Sequence, residues 1–121
     1  MAILVDASVW VDHFRQRNVL LSEQLEADQV WTHPFVIGEL ACGSLSPRNE
    51  IVRLLSVLDA APLIDHDEAL AFLDRRQLSG RGLGWIGVHL LASANLLQLP
   101  LWSRDKRLAA AARELGLAPA F

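Results

Sequence analysis

A chain of 121 residues is the size of one domain, long enough to bury most of its apolar surface in a single core, and no second domain is expected within residues 1–121. With 52% hydrophobic and 21% charged residues, no internal repeat and no long block of like charge, the composition excludes a disordered chain or a charged tail. The net charge of −3 disfavours a general polyanion binder, yet residues 1–74 carry −8 and residues 75–113 carry +6; the C-terminal third is the part suited to nucleic acid.

The opening MAILVDASVW lacks the basic start and the small-residue cleavage site of a signal peptide, so a cytoplasmic protein is expected. AILVDAS reads as a short buried strand ending at Asp6, and SVWVDHFR continues as a helix for which Ser8 is a suitable N-cap. A second helix is predicted over residues 20–27, then a strand QVWTH, then a helix from Pro34 to Cys42 that carries Glu39. Proline is well placed at a first helical position, where its missing N–H costs nothing. Cys42 is the single cysteine, has no internal disulfide partner, and by its apolar surroundings is expected to be inert core.

NEIVRLLSVLD has helical spacing, APLID reads as a strand, and DHDEALAFLDRR begins a helix with Asp65 and Glu68 at capping-box spacing. A glycine-rich turn leads to a helix over Trp85 to Leu97, a strand LPLWS, a helix over residues 105–115 and a last strand near LAPA. Residues 82–103 are uncharged, but His89, Asn95, Gln98 and Pro100 favour a buried helix and strand over a membrane span, and no membrane association is expected. Strands alternating with helices predict an α/β fold with a mostly parallel sheet covered on both faces.

Ligands of such sheets bind outside the carboxyl ends of the strands. Asp6 follows the first strand, Asp105 follows LPLWS, and Glu39 lies on the helix after the second strand, so all three acids are placed at one sheet edge. GRGLGWIGVHLLAS also contains a GxGxxG spacing, but a dinucleotide fingerprint requires a hydrophobic strand just before it. Here FLDRRQLSGR precedes it, which is the end of an amphipathic helix. Three carboxylates at one edge repel one another, and a hard divalent cation such as Mg²⁺ relieves that repulsion while keeping waters for chemistry on a phosphate ester. The competing reading is that Asp6 and Asp105 only cap helices.

Four segments taken in order, ILVDASVWVDHFR, THPFVIGELACG, GRGLGWIGVHLLASANL and LPLWSRDKRLAAAARELGL, closely resemble PIN-domain proteins, specifically the VapC toxins of bacterial toxin-antitoxin pairs. The resemblance implies a single three-layer α/β/α domain, endoribonuclease activity dependent on Mg²⁺ or Mn²⁺, a homodimer, and inhibition by a VapB-type antitoxin that directs a basic side chain at the carboxylates. By that resemblance Asp6, Glu39 and Asp105 are the catalytic, metal-holding acids, and Ser8 is a hydroxyl near the metal. The family's usual third acid follows its GxGW segment, where this chain has Gly87, so the GxGxxG spacing exists only because an aspartate is missing.

His89 lies about 200° around the helix from that position and does not replace it; it is expected to be packed within the fold. Weakened or lost activity is therefore expected. RNA capture falls to Arg81, Arg104, Lys106 and Arg107, with Arg75 and Arg76 in the same basic third, by phosphate contacts that do not read sequence. Trp10, Trp31, Trp85 and Trp102 serve either as core or as base-stacking platforms, with core the preferred reading. Two other functions fit some of these residues: a non-catalytic PIN module that binds its antitoxin and, through it, operator DNA; and a phosphohydrolase with Asp6 as nucleophile, which Ser8 in place of a second aspartate disfavours.

Overall fold

The computed structural model describes residues 1–44 and 46–121. Its elements run β1 (Ile3–Val5), α1 (Ala7–Arg15), α2 (Val19–Glu26), β2 (Val30–Thr32), α3 (Pro34–Cys42), α4 (Arg48–Ser56), β3 (Asp59–Ala60), α5 (His66–Arg75), α6 (Trp85–Leu97), β4 (Leu101–Trp102) and α7 (Lys106–Glu114). The sheet order is β3-β2-β1-β4 and every neighbouring pair is parallel. Helices cover both faces, giving three α/β/α layers.

β1 is one of the two inner strands, and Ile3, Leu4 and Val5 are all buried, as a strand covered on both faces requires. Because every strand points the same way, all carboxyl ends open on one edge. The β1–β4 register pairs Val5 with Trp102, so the next residues, Asp6 and Ser103, emerge side by side. Trp10 is fully buried under this sheet and stacks on Phe14 at 5.8 Å between ring centroids, so it is core.

Four local expectations are corrected. Ser8 is not the N-cap of α1: Asp6 holds that backbone position, and Ser8 instead donates to Asp6 Oδ2 at 2.7 Å. APLID is not the strand; β3 lies just before it, because Pro62 has no N–H to extend the ladder beyond the Ala61 N–H, which still donates to Thr32 O at 2.8 Å. LAPA is not a strand either, contributing one ladder-like bond from Leu101 N–H to Leu117 O at 2.8 Å before Pro119. Cys42 is exposed. Val36 and Leu40 take the buried face of α3, which leaves Gly38, Glu39 and Cys42 together on the outer one.

At α5, Asp65 caps by accepting from Asp67 N–H at 2.9 Å, and Glu68 returns no bond among the described residues, so the box is half formed. α6 ends at Leu97, where Gln98 turns left-handed at φ 54°. No helix among the described residues is long and apolar enough to cross a membrane.

The start of α3 depends on a neutral histidine. His33 is fully buried, and its Nδ1 accepts from Phe35 N–H at 2.9 Å. That leaves the ring proton on Nε2, 3.2 Å from Ser93 Oγ, whose hydroxyl in turn donates to Pro62 O at 2.9 Å. Burial, with the charge of His89 second, lowers the His33 pKa to about 4. The folded protein thus binds this proton less readily than the unfolded chain, so the stability contributed by neutral His33 is complete above about pH 6.5 and is lost as pH falls toward about 4. Urea midpoints measured from pH 7 to 4.5 should fall with pH, and His33→Asn, which keeps an acceptor at the cap, should flatten that slope.

Candidate active site

A cavity of about 600 Å³ opens at the carboxyl edge of the sheet, and Asp6, Glu39 and Asp105 all line it. The elements explain the convergence: Asp6 follows β1, Asp105 follows β4, and Glu39 lies on the outer face of the helix that follows β2. Ser8 and Gly87 line the same cavity.

Asp6 is buried, with 8% of its surface exposed. Two hydroxyls hold one of its oxygens: Ser8 Oγ and Ser103 Oγ donate to Oδ2 at 2.7 and 2.8 Å. No cation pairs with it among the described residues, and it makes no side-chain cap to α1. A buried carboxylate without a counter-charge is costly, so helix capping does not account for Asp6. Glu39 responds to it: partial burial, and then the negative charge of Asp6, raise its carboxyl above the usual range.

Asp105 has a double engagement. Its Oδ1 caps α7 by accepting from Arg107 N–H and Leu108 N–H at 2.9 and 3.2 Å, while its own N–H donates to Ser103 Oγ at 3.0 Å. The capping reading therefore holds for one oxygen of Asp105, and Oδ2 takes no hydrogen bond among the described residues. Ser103 links the two acids, a role no local pattern indicated.

The donor set is entirely hard oxygen, and the unrelieved repulsion between Asp6 and Glu39 suits a divalent cation. Among the described residues, however, no three His, Cys, Asp or Glu side chains stand close enough to form a ready-made metal cage. The acids share a cavity without closing it. Gly87 is the third residue of α6, whose first turn holds no acidic residue and whose N-cap, Gly84, offers no side chain.

The basic residues separate into two groups. Arg104 lines the cavity. Arg81 is committed to Glu114 at 2.6 Å, and the Arg107 side chain fills the space over Gly82, where an added Cβ would lie 2.6 Å from its Nη1. Gly82, with φ 77°, is thus required twice, for its backbone angle and for that contact. Lys106 is exposed outside the lining, and Arg75 and Arg76 sit over the Phe72 ring. None of the four tryptophans lines the cavity. Trp85 instead packs edge-on against His66 and His89 at 5.2 and 4.7 Å, and His89, whose other ring neighbour is Phe35 at 4.9 Å, is packed within the fold as expected.

Sequence reasoning missed two charged lining residues, Asp12 and Arg15. They were legible in principle. Ser8, Asp12 and Arg15 recur at i, i+4 and i+7, one face of a helix whose other face holds Val9 and Trp10.

The PIN domain family profile matches residues 3–114 of the chain. The chain belongs to the PIN-domain family. Two curated proteins named Ribonuclease VapC32, from Mycobacterium tuberculosis strains CDC 1551 / Oshkosh and ATCC 25618 / H37Rv, are each 47% identical over 117 residues, covering 96% of this chain and 94% of the relative. That degree of likeness makes it a VapC-type PIN domain. The crystal structure of PAE2754 from Pyrobaculum aerophilum superposes with a TM-score of 0.67 over 96% of both chains at 15% identity, so this PIN domain shares its fold.

Proposed function

We propose that this chain is a divalent-metal-dependent endoribonuclease toxin of a toxin-antitoxin pair, with residues 1–121 acting as one PIN domain. Asp6, Glu39 and Asp105 are the residues that would hold Mg²⁺ or Mn²⁺. The observation that carries this reading is the buried carboxylate of Asp6, without a cationic partner among the described residues, sharing a cavity with Glu39, whose carboxyl is raised by burial and then by Asp6. The family and the 47% identity to a protein named as a ribonuclease support the substrate class.

A divalent ion supplies charge stabilisation at a phosphate and lowers the pKa of a bound water. The chain's own part is positional. Ser8 and Ser103 fix one oxygen of Asp6, so the other stays directed by a locked carboxylate plane. Asp105 is oriented by two helix amides, and Glu39 reaches in from α3. Val11, Leu83, Ile86 and Leu108 supply apolar wall around the acids, which strengthens electrostatics by excluding water.

An antitoxin of VapB type, a homodimeric assembly and a cytoplasmic setting belong to the same reading. A basic side chain from the antitoxin would be attracted to this acidic cavity for the reason that a metal is. Gly87 favours a second reading, a non-catalytic module that only binds antitoxin. Cleavage of a labelled RNA with Mg²⁺, Mn²⁺ or EDTA, together with melting temperature across a metal titration, separates the two. The enzyme reading expects slow, EDTA-sensitive cleavage and metal-dependent stabilisation. Cleavage indifferent to EDTA, or a melting temperature unmoved by metal, overturns it.

A further inference from the structure

We infer that Arg15 and Arg104 form a two-guanidinium clamp for RNA backbone phosphates at the mouth of the acidic cavity, with Asp12 as the positioning residue that holds Arg104 there. The clamp rests on the RNA reading proposed above and names the cations that make it workable. Four carboxylates line the cavity, Asp6, Asp12, Glu39 and Asp105, and the only cations lining it among the described residues are Arg15 and Arg104. RNA approaches as a polyanion, and a cavity negative at its floor repels it unless positive charge stands at the rim.

Arg104 is fixed at both ends. Its backbone N–H donates to Ser8 Oγ at 2.9 Å, within the hydroxyl pair that holds Asp6, and its Nη1 lies 3.5 Å from Asp12 Oδ2. Asp12 is steadied in turn by Asn18 Nδ2 at 3.4 Å. The Arg104 side chain remains 57% exposed, so one edge of its fork faces Asp12 and other N–H groups stay available. A long, exposed ion pair of this kind adds little stability, and orientation is the better account of it. Arg15 comes from the next turn of the same α1 face, and no carboxylate pairs with it among the described residues. Arginine suits the task because its planar fork meets two phosphate oxygens at once.

The sign of the Asp12 effect discriminates. Removing a carboxylate from the cavity should, by charge alone, tighten RNA binding; if Asp12 positions Arg104, binding weakens instead. The experiment measures fluorescence anisotropy of a labelled single-stranded oligouridylate on the full chain in Ca²⁺ buffer, across a salt series, with intact probe verified on a gel. Arg15→Ala and Arg104→Ala should each weaken binding about 10-fold and lower the log–log salt slope by about 0.7 to 1. Asp12→Asn should weaken it about 3-fold in the parent and should no longer weaken it in an Arg104→Ala background, where only the charge effect remains, with Asp12→Glu restoring part of the loss.

Melting-temperature shifts on Mn²⁺ titration should be retained in both arginine variants, which checks that the fold and the metal-holding acids are intact. Unchanged affinity and salt slope in both arginine variants overturn the clamp, and tighter binding by Asp12→Asn overturns its positioning role. Metal-dependent cleavage without arginine dependence sinks the clamp and spares the ribonuclease reading. Arginine-dependent binding without cleavage does the reverse.

Discussion

Asp6→Asn is expected to abolish Mg²⁺- and Mn²⁺-dependent stabilisation and to lower RNA cleavage by at least about 100-fold, the scale on which metal ligands and charge stabilisation act. The substitution keeps the size of the side chain, and the two hydroxyls that meet Oδ2 can rotate to suit an amide, so the cavity keeps its shape. What disappears is one negative charge in a buried place. Without metal the variant should be no less stable than the parent, because the carboxylate it removes has no cationic partner among the described residues and repels Glu39. Glu39 should then titrate closer to the ordinary range, with the part due to burial remaining. Thermal melts in EDTA and in Mn²⁺, run beside a cleavage assay, check all three. A variant that loses stability in EDTA yet keeps its response to Mn²⁺ would remove Asp6 from the metal-holding set.

Gly87→Asp is expected to raise divalent affinity about 10- to 100-fold and to raise Mg²⁺-dependent cleavage with it. The position accommodates the change. Gly87 lies in the first turn of α6 with ordinary helical backbone and lines the acidic cavity. A Cβ there would stand 3.3 Å from Leu108 Cδ1, the end of a side chain that need give only a few tenths of an ångström. Two other effects accompany the charge: helix propensity, where alanine gains about 1 kcal/mol over glycine and aspartate only a few tenths, and an acid near a helix N-terminus, about 0.3 to 1 kcal/mol. Stability alone is therefore no proof, and Gly87→Ala is the control. Alanine should raise the melting temperature through propensity alone and leave metal affinity unchanged. Equal metal titrations for the two variants would show that position 87 has no part in holding the ion.

Both experiments probe a cavity whose three acids the sequence already places at one sheet edge. Alternating strands and helices put Asp6 and Asp105 after parallel strands, and parallel strands share a carboxyl edge. Glu39 came with a helix whose start was marked by Pro34 and whose predicted span, Pro34–Cys42, is the one observed. The bounds of α6, Trp85–Leu97, were equally readable, since glycines precede it and an apolar run fills it. Gly87 stood out through the family resemblance, which also supplied the metal and the substrate class.

The errors lie where a residue's partner is distant. Ser8 has the chemistry of an N-cap, yet its hydroxyl is taken by Asp6 and, from 96 residues away, by the Arg104 N–H. The surroundings of two arginines were equally unmarked: Arg81, expected to meet RNA, lies 2.6 Å from Glu114, and the Arg107 side chain packs over Gly82. Cys42 was placed in the core because its neighbours are apolar, although its position around α3 turns it outward.

The amino-acid order by itself determined the helices, the run of parallel strands and the edge on which the acids gather, because periodicity and turn chemistry act between near neighbours. Only the folded chain decided which cations reach the cavity, which hydroxyls lock Asp6 and which oxygen of Asp105 is spent on a helix. Those outcomes depend on side chains meeting across the β1–β4 register and the α1 face, and a charge or hydroxyl carries no local mark of the partner it will find there.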